Sequence, residues 1–259
     1  MGKRTKHPPG TFSWVDLATT DVAAAKTFYS SLFGWDAEDT DANGVQYTFF
    51  RIDGDAICGL SALTDEMRTA GVPPAWTSYV TVPDADVATT RAAELGGAAM
   101  SPAFDVGDAG RMAVLADPQG GAFAVWQPRA QIGAERVNDL GCLCMNELAT
   151  TDIPGARRFY EGLFGWTTDL VDTGPDGPEI VEVKNGATLN ANISAAEGGA
   201  SPHWRPYFTV ESTESAVARV EELDGRLIFG PFPIPDGSIA IAVDPQGALF
   251  ALFAGETDP

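Results

Sequence analysis

Two carboxylates stand where carboxylates are costly. Asp16 interrupts the apolar run Phe12–Ala18, and Glu147 interrupts Leu143–Ala149; a carboxylate in such a strand loses free energy unless it is paired or wet. Two readings fit. Each acid is a ligand hydrogen-bonder or a general base with a raised pKa, or each belongs to an inter-strand pair, for instance Glu147 with Arg205. The remaining reactive inventory is thin. The histidines are His7, close to the start, and His203, so one usable imidazole leaves no Ser-His-Asp arrangement to assemble. Cys58, Cys142 and Cys144 are odd in number, and their Cys-x-Cys spacing suits neither a disulfide framework nor a zinc knuckle. A reducing cytoplasm is the expected compartment. No glycine-rich loop precedes a helix in the manner that cradles phosphate.

Composition narrows the partners. A formal charge of −20 repels nucleic acid and anionic membrane alike, and reads first as a solvated acidic surface that favours solubility. No apolar run approaches the roughly 18 residues of a membrane span. The opening Met1–Gly10 is basic with no apolar stretch behind it, so it is expected to be a disordered lead rather than a signal peptide.

The elements that must position these side chains occur twice. Phe28-Tyr29-Ser30-Ser31-Leu32-Phe33-Gly34-Trp35 reappears 131 residues later as Phe159-Tyr160-Glu161-Gly162-Leu163-Phe164-Gly165-Trp166. Asp117-Pro118-Gln119-Gly120 reappears after 127 residues as Asp244-Pro245-Gln246-Gly247. Two motifs in one order at nearly one offset indicate tandem domains, since solenoid repeats run at about 20–50 residues. In each half a strand leads into a helix capped by Asp21 or Asp152 and stopped by Gly34 or Gly165. Strands are expected at 46–52, 56–63, 77–82, 111–116 and 122–127, and again at 179–183, 188–194, 206–210, 238–243 and 249–253. Helices start at Asp84 and cover 214–223. The pattern gives an α+β fold of four strand-helix-strand-strand-strand units, two per domain. The domains are placed at 11–128 and 141–254, with 129–140 as a polar linker.

These paired motifs resemble the vicinal oxygen chelate superfamily of glyoxalases, bleomycin-resistance proteins and dioxygenases, in particular its tandem actinobacterial members. The resemblance implies βαβββ units curled as a cup-shaped sheet around a cavity, and two domains packed as an internal pseudo-dimer. It further implies a monomer, with a homodimer as the alternative. Metal-dependent members hold their metal from four strand positions, and the resemblance places these at Trp14, Gly59, Thr77 and Ala124 in the first domain. In the second they fall at Met145, Asn190, Arg205 and Ala251. None suits a divalent transition metal, so no cofactor is expected.

Steps of two along each strand extend the inward face. Trp14, Asp16, Tyr79 and Trp126 then line the first cavity. Asn190, Asn192, His203 and Phe253 line the second as ligand-binding residues, with Glu147, Arg205 and Tyr207 as the catalytic candidates. Aromatic walls with a few polar groups suit a small molecule. Two functions follow: metal-independent binding of a hydrophobic or aromatic small molecule, for sequestration or resistance, or metal-independent catalysis on such a ligand in secondary metabolism by an isomerase, cyclase, lyase or accessory hydroxylase.

Overall fold

The computed structural model describes residues 2–42, 45–174, 177–196 and 198–257. The first domain runs β1 (Phe12–Thr19), α1 (Val22–Phe33), β2 (Asp36–Ala42), β3 (Val45–Ile52), β4 (Asp55–Ala62), the short α2 (Asp65–Thr69), β5 (Ala75–Thr81), α3 (Ala85–Glu94), β6 (Ala98–Ala99), β7 (Phe104–Val106), β8 (Gly110–Ala116) and β9 (Ala122–Pro128). The second runs β10 (Leu143–Thr150), α4 (Ile153–Phe164), β11 (Thr167–Leu170), β12 (Ile180–Asn185), β13 (Thr188–Ala195), β14 (His203–Thr209), α5 (Thr213–Glu222), β15 (Arg226–Ile234), β16 (Gly237–Val243) and β17 (Leu249–Gly255).

Each domain forms one sheet, ordered β2-β3-β4-β1-β5-β9-β8-β6 and β11-β12-β13-β10-β14-β17-β16-β15. The opening strands of the two units lie side by side and antiparallel in both domains: Asp16 pairs with Thr77, and Glu147 with Arg205. The sequence expectation lacked α2 and the outer strands β2, β6, β7, β11 and β15. Those strands form through edge pairing rather than through an apolar alternation of their own.

The helices start and stop as their sequences dictate. The side chain of Asp21 accepts from Ala24 N at 3.0 Å, and that of Asp152 from Gly155 N at 2.9 Å. Gly34 and Gly165 close the helices at φ 73° and 71°, a conformation that carries little cost only without a Cβ.

What α1 and α4 bury is the other domain. Phe28, Tyr29, Trp35 and Phe50 share one core with Phe208, Val217, Ala240 and Phe250. Val80, Leu115 and Phe123 share the second with Phe159, Tyr160, Trp166 and Trp204. Each core is sealed by the same polar joint. The Tyr29 hydroxyl donates to Asp244 Oδ2 and the Tyr160 hydroxyl to Asp117 Oδ2, both at 3.1 Å. Trp76 Nε1 donates to the Tyr29 oxygen and Trp204 Nε1 to that of Tyr160. Each aspartate's other oxygen braces its own Pro-Gln-Gly turn by accepting two backbone N–H groups.

The leading segment is not disordered, contrary to the sequence expectation. Lys3 bridges to Arg136, His7 is buried with Nε2 on Ala134 O at 2.7 Å, and Gly10 O accepts from Trp166 Nε1 at 2.7 Å. The lead is held by residues more than 120 positions away, which no local pattern could announce.

Tyr29→Phe and Tyr160→Phe are each expected to reduce the free energy of unfolding by about 1–3 kcal/mol, because each leaves a buried Trp N–H and a carboxylate oxygen short of a partner. Urea denaturation should return similar losses for the two variants and a single transition in each, since neither core belongs to one domain.

Candidate functional site

The sheet face opposite the helices differs between the domains. On the first, Trp14 Nε1 donates to the Tyr47 hydroxyl at 3.0 Å. Asp16 Oδ2 accepts from Tyr79 at 2.9 Å and from Tyr47 at 3.3 Å. Trp14, Ala56, Tyr79, Ala124 and Trp126 form a buried cluster completed by the connecting segment, with Ala134 fully buried among them. Ala134 N donates to Ser13 O, Glu135 N to Ala56 O, and Trp126 Nε1 to Gln131 O at 2.9 Å. The four expected residues of this face do meet, but as a closed core under residues 131–137. Tyr47 was not among them, although its alternation with Phe49 opposite Ser61 and Gly59 could have marked it.

On the second face Glu147 gathers three donors. Oε1 accepts from Ser194 Oγ, and Oε2 from the Tyr207 hydroxyl and from Arg205 Nη2 at 2.9 Å. Strand pairing carries this row outward through Asn192 and Glu182 to Asp169. On the other side it turns apolar. Tyr207 pairs with Ala251, then Ile241 and Phe229; Thr209 pairs with Phe253, then Ile239 and Phe232. Phe229 and Phe232 are 42% and 51% exposed, so the apolar outer edge of this face meets solvent, as Phe104 does at the edge of the first sheet. Indentations of about 350 Å³ beside residues 170–174 and 177–179 and about 250 Å³ beside Pro118 and Gln119 lie elsewhere and hold none of this cluster.

Three polar atoms on the second face are buried without a partner: Arg205 Nε, Asn192 Oδ1 and His203 Nε2. Asn192 Nδ2 rests on Met145 Sδ at 3.4 Å. Asn190, by contrast, is spent on the lead, accepting from Phe12 N and donating to Gly10 O. Pairing of Asp16 with Gly59 and of Glu147 with Asn192 corrects the expected register: Asn192, two residues on, is the counterpart of Gly59. Cys142 is buried in a helix-side core and Cys144 Sγ faces Tyr207 O.

The two acids titrate in opposite senses. Burial pushes Asp16 up to about 6, with the Tyr79 and Tyr47 hydrogen bonds acting against it. Burial acts to raise Glu147 as well, but the Arg205 charge and the bonds from Ser194 and Tyr207 hold it below the usual carboxylate range.

Both halves match one family model, described as the Glyoxalase/Bleomycin resistance protein/Dioxygenase superfamily, over residues 11–125 and 143–252. The chain belongs to that superfamily. Among similar superfamily proteins, CFP32 of Mycobacterium tuberculosis, named as a candidate glyoxylase, is 36% identical over 97% of both chains. The anthracycline biosynthesis protein DauV of Streptomyces sp. strain C5 is 35% identical over 96% of this chain and 94% of its own. In fold, the Mn(II)-bound glyoxalase of Novosphingobium aromaticivorans overlays with a TM-score of 0.66 at 15% identity, covering 97% of this chain and 85% of that one. The 2,3-dioxygenase LapB of Pseudomonas sp. KL28 overlays at 0.64 and 14%, covering 97% and 94%.

The residues that the resemblance places at the metal positions do not fit a divalent transition metal. The first face offers Trp14, Gly59, Thr77 and Ala124, and the space above Gly59 is filled: a Cβ there would stand 1.8 Å from the Tyr47 hydroxyl. The second offers Met145, Asn192, Arg205 and Ala251, in which a guanidinium replaces a ligand. Among the described residues no three His, Cys, Asp or Glu side chains group as metal ligands.

The opposite shifts yield opposite pH responses. Folded Asp16 keeps a proton that the unfolded chain releases near its ordinary 3.8. Its contribution to stability is therefore complete below that value, declines by up to about 3 kcal/mol as pH rises to about 6, and is level above. Glu147 contributes above its ordinary value and loses that contribution as pH falls through its folded one. Denaturant melts from pH 3 to 7 should show Asp16→Asn gaining on the parent as pH rises to about 6, and Glu147→Gln losing on it as pH rises towards 4.5 and level above.

Proposed function

We propose that the chain binds a planar, largely apolar small molecule on the second concave face, without a metal, and that the first face serves as scaffold. The observation that carries this reading is the amphipathic face itself. A buried Glu147–Arg205–Tyr207 cluster adjoins exposed Phe229 and Phe232, with Phe253, Ile239 and Ile241 between them. Such a face suits a ligand whose aromatic body lies over the apolar strands while one polar end reaches Arg205 and Tyr207. Glu147 orients both donors, and Asn192 and His203 flank the polar end. The kinship with an anthracycline biosynthesis protein favours a polycyclic aromatic ligand. It also favours a second reading, in which the bound compound is turned over in secondary metabolism by an isomerase, cyclase, lyase or accessory hydroxylase.

Titration of the full chain with 1,8-dihydroxyanthraquinone, followed by tryptophan quenching, is expected to saturate at one ligand per chain and to be indifferent to EDTA. Phe253→Ala and Arg205→Met should each weaken binding by about tenfold or more, equivalent to about 1.4 kcal/mol. Two equivalents bound per chain, or affinity abolished by EDTA, contradicts the proposal.

A further inference from the structure

The segment that closes the first face is held by two sets of partners. One set belongs to the sheet. Trp126 Nε1 donates to Gln131 O at 2.9 Å, Ala134 N to Ser13 O at 2.6 Å and Glu135 N to Ala56 O at 2.7 Å, and Glu135 Oε2 accepts from Ala56 N at 2.7 Å. The other set belongs to residues 2–7. A carbonyl only accepts, so His7 Nε2 donates to Ala134 O, at 2.7 Å. Ala134 is thus tied to the sheet by its N–H and to the lead by its carbonyl. Arg4 N donates to Glu135 O at 2.8 Å, Val137 N to Gly2 O at 2.9 Å, and Gly2 N to Asp139 Oδ1 at 3.1 Å. Asp55 joins the two segments, taking Lys3 Nζ at 2.9 Å and Arg136 Nη2 at 2.8 Å.

Nearly all of these ties are polar. Within residues 131–137 Ala134 belongs to the buried aromatic cluster and Val137 packs against it, whereas the two shared cores are built of whole aromatic rings. Hydrogen bonds that water can replace hold less firmly than buried rings, and segments held in this way open below the free energy of global unfolding. The lead also has a fixed base. Gly10 N donates to Thr81 O, and Gly10 O accepts from Trp166 Nε1 and Asn190 Nδ2, while Pro8 and Pro9 before it are exposed. We propose that residues 131–137 are a lid and residues 2–7 its latch: release of the latch lifts the lid and bares Trp14, Tyr47, Tyr79 and Trp126, while both shared cores stay folded. The lid is then an inhibitory occupant of the first face. Its consequence for ligands rests on the reading of the second face as a site for a planar aromatic compound: once unlatched, the first face offers rings beside hydroxyls and accepts a second equivalent.

Two full-length variants approach the lid from its two sides. His7→Ala removes a latch bond. Gly133→Ala acts within the lid, because Gly133 has φ 106° and a Cβ there would stand 2.5 Å from Ser13 O. Hydrogen–deuterium exchange read by mass spectrometry should show residues 131–137 of the parent exchanging together with residues 2–7, and ahead of residues 28–35 and 204–209 in the shared cores. His7→Ala should speed exchange of residues 131–137 by about fivefold or more and leave the core segments unchanged. Acrylamide should quench more tryptophan fluorescence in both variants than in the parent, through Trp14 and Trp126. With 1,8-dihydroxyanthraquinone, Gly133→Ala should take up one equivalent more than the parent. Lid and core segments exchanging in step in the parent, or variants whose tryptophans are no more accessible, overturn the lid. A lid that opens without gain of an equivalent overturns its role as an occupant. A parent that binds none while Gly133→Ala binds one supports the lid and overturns the second-face reading.

Discussion

Everything in this molecule is referred to a hydrogen bond that each domain lends the other. A tyrosine on the first helix of one domain donates to an aspartate in the last turn of its partner, Tyr29 to Asp244 and Tyr160 to Asp117. The aspartate can accept because its other oxygen already organises the turn. The tyrosine in turn is fixed by an indole N–H from Trp76 or Trp204. Buried polar groups are costly unless every one is satisfied, so the chain of three side chains locks helix, sheet and turn into one geometry. The two sheets are thereby held with their helix-free faces turned away from the shared cores.

That frame leaves two faces that have diverged. Equivalent strand positions hold Asp16 and Thr77 on the first and Glu147 and Arg205 on the second. Without a guanidinium, Asp16 relies on two phenols and stays easy to protonate. With one, Glu147 remains a carboxylate deep in the sheet. Aromatic packing around Ala134 completes the difference: the first face is filled by the protein's own chain, and the second carries a buried polar cluster with an exposed apolar edge at Phe229 and Phe232.

Much of this was legible in the sequence because it is periodic. The doubled Phe-Tyr and Leu-Phe-Gly-Trp blocks and the doubled Asp-Pro-Gln-Gly turns identify both domains, and strand alternation brings Glu147, Arg205 and Tyr207 to one face. The outer strands were hidden for chemical reasons. Asp36–Ala42 is an acidic run that reads as loop, and Arg226–Ile234 contains Gly230, Pro231 and Pro233, which read as breakers. The placement of Asn190 failed by two residues because β13 pairs one repeat further on than a constant offset implies. The tyrosine–aspartate joints were written in the sequence as matched polar atoms inside two otherwise apolar blocks, but their crossing between domains is a tertiary fact.

The closure of the first face is a consequence of the connection between the domains. Residues 131–137, which fill that face, lie in the stretch that ties one domain to the other. Joining the domains therefore does more than raise their effective concentration. It supplies residues 131–137 as a cover for the first face, so that two sheets alike in strand order differ in what lies against them.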